Sequence, residues 1–217
     1  MTASTATRVE FAHLRASTPQ TLPFGPNLEA RAYLLERDAG NLLIYSNGTL
    51  ADDVDWLARA GVERQYLNHW HESLFGLAPR ELGARLLVHR ADAPEVIERG
   101  GRPLTFDRDH RLGDDFEAIP IPGHTPGATA YLWDSGERRF LFTGDSVYLH
   151  RGRWRAGLLD SSDPRSFVKS LKRLRDVDFD VMVPWVTSVG EPWAVPLSVE
   201  ERHERFDRLI DWVRRAR

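Results

Sequence analysis

The sequence predicts a mixed α/β protein of the α+β kind, with helices packed on layered β-sheets. Short apolar runs separated by turn residues indicate antiparallel strands, and segments with helical periodicity lie between these runs. Two sheets packed face to face, with helices outside them, fit this order of elements. The 217 residues, of which 41% are hydrophobic and 28% charged, suit one globular domain that can bury a sizeable core.

We therefore predict a single domain over residues 1–217, with two distinctive ends. Residues 1–26 are polar and contain Pro19, Pro23 and Pro26, which indicates an N-terminal arm that forms a tail, a lid or an added strand. Residues 198–217 are predicted to form a C-terminal helix, because Ser198 and Glu201 make a capping box ahead of an apolar stripe.

The first half of the chain alternates between predicted strands and helices. Apolar runs at 30–35 and 42–45 flank the turn sequence Asp-Ala-Gly-Asn and are predicted to form a hairpin. A helix is expected over 52–60, with Thr49 as its cap and Gly61 just after its end. We expect a strand at 64–67, a short helix at 79–84, a strand at 86–89 and a helix at 93–99.

In the second half, a predicted strand at 116–121 leads into a tight loop that contains His124. A hairpin follows, and its second strand ends at Gly144, directly before Asp145. Asp163 and Pro164 suit the N-cap and first position of a helix with an apolar stripe, and residues 181–184 are predicted to form a strand.

Bulk composition narrows the possible partners. There is no cysteine, so disulfides and thiolate metal sites are excluded, and any metal must be held by histidine and carboxylate groups. The formal net charge of −3 argues against nucleic acid as a partner. The first residues lack the apolar segment of a signal peptide, and no run is long enough to span a membrane. We therefore expect a cytoplasmic protein that acts on a small molecule.

Three histidines and one aspartate form the candidate functional site. His69 and His71 are two positions apart at the end of an apolar run, so in an extended backbone their rings face the same way. His124 and Asp145 lie in tight loops at the ends of two later strands, where rigid scaffolds often carry chemistry. Three imidazoles with an open fourth position are typical of catalytic zinc, and Asp145 offers an additional oxygen ligand.

These motifs resemble those of the metallo-β-lactamase superfamily. The resemblance rests on Gly-His-Thr-Pro-Gly at 123–127, Thr-Gly-Asp-Ser at 143–146 and the His69-Trp70-His71 tract, and it extends from about residue 27 to 184. It implies a four-layer αββα sandwich of two mixed β-sheets flanked by helices. It also implies that His69, His71, His124 and Asp145 bind metal, with Asp145 at the position that bridges two metals in the family.

The sequence departs from the family pattern at the second metal. The family's HxHxDH tract supplies an aspartate and a further histidine, and here these positions hold Ser73 and Leu74. The histidine of the family's later Pro-Gly-His-Gly tract corresponds to Val186. The resemblance therefore implies one divalent ion, with zinc as the first choice and iron and manganese as alternatives. His89 and His150 have no assigned role, and either could reach the site.

We predict a metal-dependent hydrolase of a small ester-, thioester- or lactone-like substrate that uses one metal-activated water. The predicted catalytic groups are Asp145 and Glu72, because Ser73 replaces the usual water-orienting carboxylate. Glu72 is expected to matter less, since it points away from the histidines if the backbone stays extended. Two alternatives remain open: a catalytically inactive member that binds a small molecule or a protein, and an isomerase, cyclase or oxidoreductase that uses the single metal.

Overall fold

A computed structural model describes residues 11–216. The first ten residues of the predicted N-terminal arm and the last residue of the predicted C-terminal helix lie outside the described part. Within it the helices are α1 (Val54–Ala60), α2 (Ala93–Glu98), α3 (Pro164–Asp176) and α4 (Val199–Arg215). The strands are β1 (Leu14–Ala16), β2 (Gln20–Leu22), β3 (Gly25–Ala30), β4 (Tyr33–Leu35), β5 (Leu42–Ile44), β6 (Arg64–Tyr66), β7 (Arg85–His89), β8 (Leu104–Phe106), β9 (His110–Leu112), β10 (Phe116–Pro120), β11 (Thr129–Asp134), β12 (Arg139–Gly144), β13 (Val147–His150), β14 (Arg153–Ala156), β15 (Val181–Pro184), β16 (Val186–Ser188) and β17 (Val195–Pro196).

Two six-stranded mixed sheets form the body of the fold. The first has the strand order β1-β4-β5-β6-β7-β8, antiparallel up to β5 and parallel from there on. The second has the order β17-β15-β12-β11-β10-β9, in which only β12 and β15 pair in parallel. A third, five-stranded sheet has the order β14-β13-β16-β3-β2, and the sequence did not predict it as separate.

Alternation along the strands divides the core into layers. Tyr33 and Leu35 of β4 belong to the apolar cluster between the two large sheets, while Leu34 between them packs towards α1. In β12, Phe142 faces the other sheet and Leu141 faces the cluster formed with α3 and α4. Helix α2 covers the end of the first sheet through a smaller cluster. The predicted αββα sandwich is confirmed.

Most predicted elements are present, with shifted ends. The β4–β5 hairpin and the strands at 64–66, 85–89 and 181–184 are found. Asp163 caps α3 by accepting a hydrogen bond from the backbone N–H of Arg165, and the Ser198–Glu201 capping box opens α4. Thr49 does not cap α1, because its hydroxyl donates to the carbonyl of Thr18 instead. The residue range 79–84 contains a single 3₁₀ turn, Arg80–Leu82.

The described part of the N-terminal arm is strand rather than tail. β1 joins the edge of the first sheet and β2 pairs with β3 in the third. Among residues 11–216, no helix is both long enough and apolar enough to cross a bilayer. The compartment in which the protein works stays a prediction.

Candidate metal centre

His69 and His71 follow the C-terminal end of β6, a central strand of the first sheet. His69 has an extended backbone (φ −158°, ψ 168°) and precedes a 3₁₀ turn, Trp70–Leu74, which contains His71. The expected extended geometry is therefore wrong for His71. The two rings nevertheless lie on the same side, with centroids 4.9 Å apart, because the turn curls His71 back beside His69. His124 lies in the loop between β10 and β11, and Asp145 directly follows β12.

One ligand atom from each of the four residues points into a common space, and all four atoms lie within 4.8 Å of one another. Nε2 of His69 is 3.1 Å from Oδ1 of Asp145, and Nε2 of His124 is 2.9 Å from that same oxygen. Nδ1 of His71 is 3.0 Å from Nε2 of His124. His69 and His124 are buried, with 0% and 1% exposure.

This arrangement fits a divalent cation. Nε2 of His69 and Oδ1 of Asp145 are buried and make no hydrogen bond within the described residues, although they face each other. Around zinc, tetrahedral ligands at about 2.0–2.1 Å from the ion lie about 3.3 Å from one another. Three of the six spacings between ligand atoms, 2.9–3.1 Å, are within a few tenths of an ångström of that value, and all six are at most 4.8 Å. Nitrogen and carboxylate donors without sulfur also suit zinc, iron and manganese.

The electrostatics of the cluster also favour a cation. Burial opposes protonation of His69, but the carboxylates of Asp145 and Glu72 outweigh it and raise its pKa to about 10. Burial and the neighbouring His69 lower the pKa of His71 to about 3. Burial likewise opposes ionisation of Asp145, yet the imidazoles of His124 and His69 hold the pKa of its carboxyl well below its usual range. The cluster therefore keeps an ionised carboxylate beside a protonated His69, and a metal ion that binds there would displace that proton.

Contacts behind the ligands set the orientation of the rings. Nδ1 of His124 lies 2.5 Å from the carbonyl oxygen of Gly157 and donates to it, which leaves Nε2 as the lone-pair atom that faces the cluster. Gly144, before Asp145, has φ 63°, and a Cβ at this position would overlap the side-chain amide of Asn68. Only glycine permits this turn and close approach, so the backbone fixes the position of Asp145.

Glu72 lies behind His69 and is completely buried. Its Oε1 accepts hydrogen bonds from the backbone N–H groups of Asn68 (2.7 Å) and His69 (3.2 Å) and lies 3.3 Å from Nδ1 of His69. Its Oε2 accepts from the backbone N–H of Ser46 at 2.8 Å. Burial raises the pKa of its carboxyl, and the contacts with His69 oppose that shift. The 3₁₀ turn thus brings Glu72 against His69, where the extended-chain expectation had pointed it away.

Asp92 connects the two histidine loops, and sequence reasoning missed it. Its Oδ2 accepts from the backbone N–H of Trp70 (3.1 Å) and from the hydroxyl of Thr125 (2.6 Å). Its Oδ1 accepts from the backbone N–H of Gly127 at 2.7 Å. A carboxylate that is only 1% exposed must find such partners. The available signal was its place directly before α2, three residues after the end of β7.

The residues at the family's second-metal positions make other contacts instead. The hydroxyl of Ser73 donates to the carbonyl of Trp70 at 2.6 Å. Leu74 is 54% exposed, and Val186 is buried in the apolar cluster between the sheets. The indole of Trp185 packs on His69, with ring centroids 5.4 Å apart.

The two unassigned histidines are not part of the cluster. Nδ1 of His89 accepts a hydrogen bond from the backbone N–H of Ala91, at the start of the turn that leads to α2. Nδ1 of His150 lies 3.3 Å from the hydroxyl of Ser188, at the far end of β13. Neither is among the described residues that could hold a metal together with His69.

Comparisons with known proteins show the family and the fold of this chain. The family model described as the metallo-beta-lactamase superfamily matches residues 53–184. A hydroxyacylglutathione hydrolase from Erwinia tasmaniensis is 28% identical over 165 residues, which cover 70% of this chain and 59% of that relative's length. A metallo-beta-lactamase structure from Pontibacter korlensis superposes with a TM-score of 0.71, at 18% identity, over 95% of this chain and 97% of the other. A protein crystallised in a di-iron-bound form gives 0.59, at 23% identity, over 86% and 98% of the two chains.

Proposed function

The chain belongs to the metallo-β-lactamase superfamily, and from this premise we propose that it is a metal-dependent hydrolase of a small ester, thioester or lactone. Members of this superfamily bind divalent metals, and this chain brings a histidine and aspartate cluster together. The single observation that carries the proposal is that Nε2 of His69 and Oδ1 of Asp145 face each other while buried and without hydrogen bonds. We propose one metal ion per chain, zinc in the first place.

The metal would be held by Nε2 of His69, Nδ1 of His71, Nε2 of His124 and Oδ1 of Asp145. When bound, such an ion supplies a water of lowered pKa and polarises the carbonyl oxygen of the substrate. Asp145 then has a second task. Its Oδ1 is buried among the imidazoles, whereas the side chain as a whole is 22% exposed, which leaves Oδ2 as the oxygen for a water to approach. We assign Oδ2 the task of accepting the proton from the attacking water.

Glu72 receives a positioning role in this proposal. Its two oxygens accept hydrogen bonds from three backbone N–H groups, Oε1 lies 3.3 Å from Nδ1 of His69, and the side chain is completely buried. It therefore holds the ring of His69, and it keeps Nε2 of that ring facing the metal. Proton transfer from water at Glu72 would require it to leave these hydrogen bonds.

The substrate class follows from the donor set and from one relative. Hydroxyacylglutathione is a thioester, and the relative named for its hydrolysis shares 28% identity with this chain over 165 residues. We extend only the bond type from that relative, a carbonyl carbon with a sulfur or oxygen leaving group. A non-catalytic binding role is the second candidate, because Ser73, Leu74 and Val186 stand where the family pattern has second-metal ligands.

The test begins with metal content. Protein purified without added metal, dialysed and analysed by mass spectrometry of the elements, is expected to retain one equivalent of zinc. A panel of activated esters, thioesters and lactones then identifies a substrate. Asp145→Asn is expected to lower both metal content and turnover, the latter by about 10²–10⁴-fold as for loss of a general base. The matched control is Asp38→Asn, at an exposed carboxylate in the β4–β5 turn.

Two results would overturn the proposal. Metal-free protein that regains no hydrolysis when zinc is added would favour the binding role. Full turnover and full metal content in Asp145→Asn would show that Asp145 is only a turn residue.

A further inference from the structure

A groove between strand β14 and helix α4 is lined by arginines and tryptophans, and we call it the arginine groove. Strand β14 is the edge strand of the third sheet, and α4 packs beside it. The groove has a volume of about 700 Å³, which suits a small molecule. None of its lining residues belongs to the metal cluster, so the groove is a separate feature of the surface.

The lining of the groove carries a surplus of positive charge. Five of its residues are arginines and two are glutamates, whereas the whole chain has a formal net charge of −3. Both glutamates pair with arginines of their own helix, one with Arg205 and the other with Arg208. The three remaining arginines make no ion pair within residues 11–216, and they are Arg153, Arg155 and Arg215. The groove therefore offers guanidinium groups to an anion.

Two tryptophans add flat surface and a hydrogen-bond donor. The guanidinium of Arg205 lies over the ring of Trp154, 5.4 Å from its centroid. Nε1 of Trp154 is buried and has no hydrogen-bond partner among the described residues. Such donors are rare in folded proteins, because the hydration lost on burial is not replaced. Trp212 is 41% exposed, so part of its ring is accessible to a ligand in the groove.

Protection of the sheet edge does not account for this composition. Charged side chains on an edge strand prevent it from pairing with other chains, and Arg153 and Arg155 suit that role. The role needs neither the arginines of α4 nor the two tryptophans. Guanidinium groups, an indole N–H without an acceptor and an accessible aromatic ring together match a ligand that has both anionic oxygens and a flat ring.

We infer that the arginine groove binds a free nucleotide, whose phosphates contact the guanidinium groups and whose base stacks on Trp212. Arginine binds phosphate through two parallel hydrogen bonds, and bases stack on tryptophan. The ligand also brings the acceptor oxygens that Nε1 of Trp154 lacks. The limited volume and the negative charge of the whole chain favour a single nucleotide over nucleic acid. The inference does not depend on the proposed hydrolase function.

Three probes separate the two kinds of contact. ATP, adenosine and tripolyphosphate are titrated into the purified protein by calorimetry at low salt. ATP is expected to bind at least about 10-fold more tightly than either of the others, because only ATP has both the phosphates and the ring. Its affinity should fall as the salt concentration rises.

Trp212→Ser tests the contact with the base. It should weaken ATP binding by about 5–20-fold and change tripolyphosphate binding by less than about 2-fold, because only the base stacks. Trp212→Phe, which keeps an aromatic ring, should retain most of the ATP affinity. Phe24→Ser is the matched control, since Phe24 is a 73% exposed aromatic residue outside the groove. It should leave both affinities unchanged.

Arg153→Gln tests the contact with the phosphates. It should weaken ATP and tripolyphosphate binding alike, by about 3–10-fold, because one guanidinium is lost in both complexes. Arg138→Gln, at an exposed arginine between β11 and β12, is the matched control and should change neither affinity.

Four results would overturn the inference. Equal affinities for ATP and tripolyphosphate would mean that the groove attracts anions without recognising a base. ATP binding that neither Trp212→Ser nor Arg153→Gln weakens would place the nucleotide elsewhere on the protein. A hexaglutamate peptide that binds more tightly than ATP at the same salt would make the groove a docking surface for an acidic protein segment. A single-stranded oligonucleotide that does so would make it a nucleic-acid site.

Discussion

The two sides of the cleft are built on different physical principles. On the ligand side, His69 and His124 are buried and His71 and Asp145 are partly buried, and each of the four approaches another within 3.1 Å. On the opposite side lie apolar side chains that we call the aromatic wall, namely Trp185, Phe75, Phe24 and Leu74. The ring centroid of Phe75 lies 5.7 Å from that of Trp185 and 6.2 Å from that of Phe24. Both sides meet at the ring of His69, which belongs to the cluster and also packs on Trp185.

The difference shows what each side needs from the fold. A metal ligand must be held in position by directed contacts, so the ligand side is supported by buried carboxylates with fixed hydrogen bonds, namely Glu72 and Asp92. Apolar side chains make contacts that do not depend on direction, so the aromatic wall has no such supporting hydrogen bonds. Its outer residues, Phe24 and Leu74, are exposed. Substitutions on the ligand side should therefore have large and specific effects, and those on the wall small ones.

The largest effect is expected for His124→Ala. The variant loses one ligand nitrogen and also the hydrogen bond from Nδ1 to Gly157. We expect metal content after dialysis to fall from one equivalent towards zero. Turnover should fall by more than the roughly 10–100-fold that is typical for loss of an outer partner. Elemental analysis and a steady-state assay measure both.

His203→Ala is the control for that variant, because His203 is an exposed residue of α4. Its metal content and activity should match the wild type. Retention of a full equivalent in His124→Ala would show that the cluster is a polar remnant that does not need all three imidazoles. The ligand side would then differ from the aromatic wall in polarity, and not in how strictly its residues are required.

Glu72→Gln should have the next largest effect. The amide nitrogen would face a backbone N–H, whichever way the side chain is turned, because both carboxylate oxygens of Glu72 are acceptors. We expect zinc affinity to fall by about 10–100-fold through the loosened ring of His69. Competition with a chelator of known affinity measures it. Glu98→Gln, at a carboxylate that is 75% exposed, is the matched control.

Unchanged zinc affinity in Glu72→Gln would remove the positioning role. A variant that binds zinc normally but hydrolyses far more slowly would instead make Glu72 a catalytic residue. Zinc affinity and hydrolysis rate together therefore decide whether Glu72 positions His69 or accepts a proton from water.

The layers of the fold could be predicted because they depend on short-range patterns. The apolar stripe of α3, the Asp163 cap and the β4–β5 hairpin each follow from local spacing, whereas the four-layer sandwich was implied by the family resemblance. The third sheet could not be predicted in this way. Its strands β2, β3, β13, β14 and β16 come from distant parts of the chain, and their pairing depends on contacts that no window of the sequence contains.

Asp92→Asn should have a smaller effect, mainly on stability. The variant side chain would present an amide N–H₂ group where one of the present carboxylate oxygens accepts hydrogen bonds from Trp70, Thr125 or Gly127. We expect the free energy of unfolding of the metal-free protein to fall by about 1–3 kcal/mol. Urea unfolding measures it, with Asp107→Asn as the control, since Asp107 is 50% exposed and makes only a surface ion pair. A change no larger than in the control would mean that Asp92 does not hold the two loops together.

At the site, too, contacts between distant parts of the chain could not be predicted from local sequence. The four ligand types and their loops were recognised from motifs, whereas the groups that orient them were not. Glu72 was expected to point away because the tract was taken as extended, and a 3₁₀ turn reverses that direction. Asp92 carries no motif at all, and its role depends on two loops that lie far apart in sequence.

The smallest effect on metal content is expected for Leu74→His, a substitution in the aromatic wall. This change returns the family's residue type to one second-metal position, yet metal content after dialysis should stay at one equivalent. A second ion needs several donors at once. The hydroxyl of Ser73 is engaged by the carbonyl of Trp70, Val186 is 4% exposed within the apolar cluster, and the indole of Trp185 already packs on His69. A new imidazole at position 74, where the present side chain is 54% exposed, would therefore remain in solvent with no partner ligand.

Leu74→Ser is the matched control, and both variants should show the same metal content. If Leu74→His alone took up a second equivalent that withstands dialysis, the wall would be a metal site lacking one ligand, and the division of the cleft into a polar and an apolar side would be wrong.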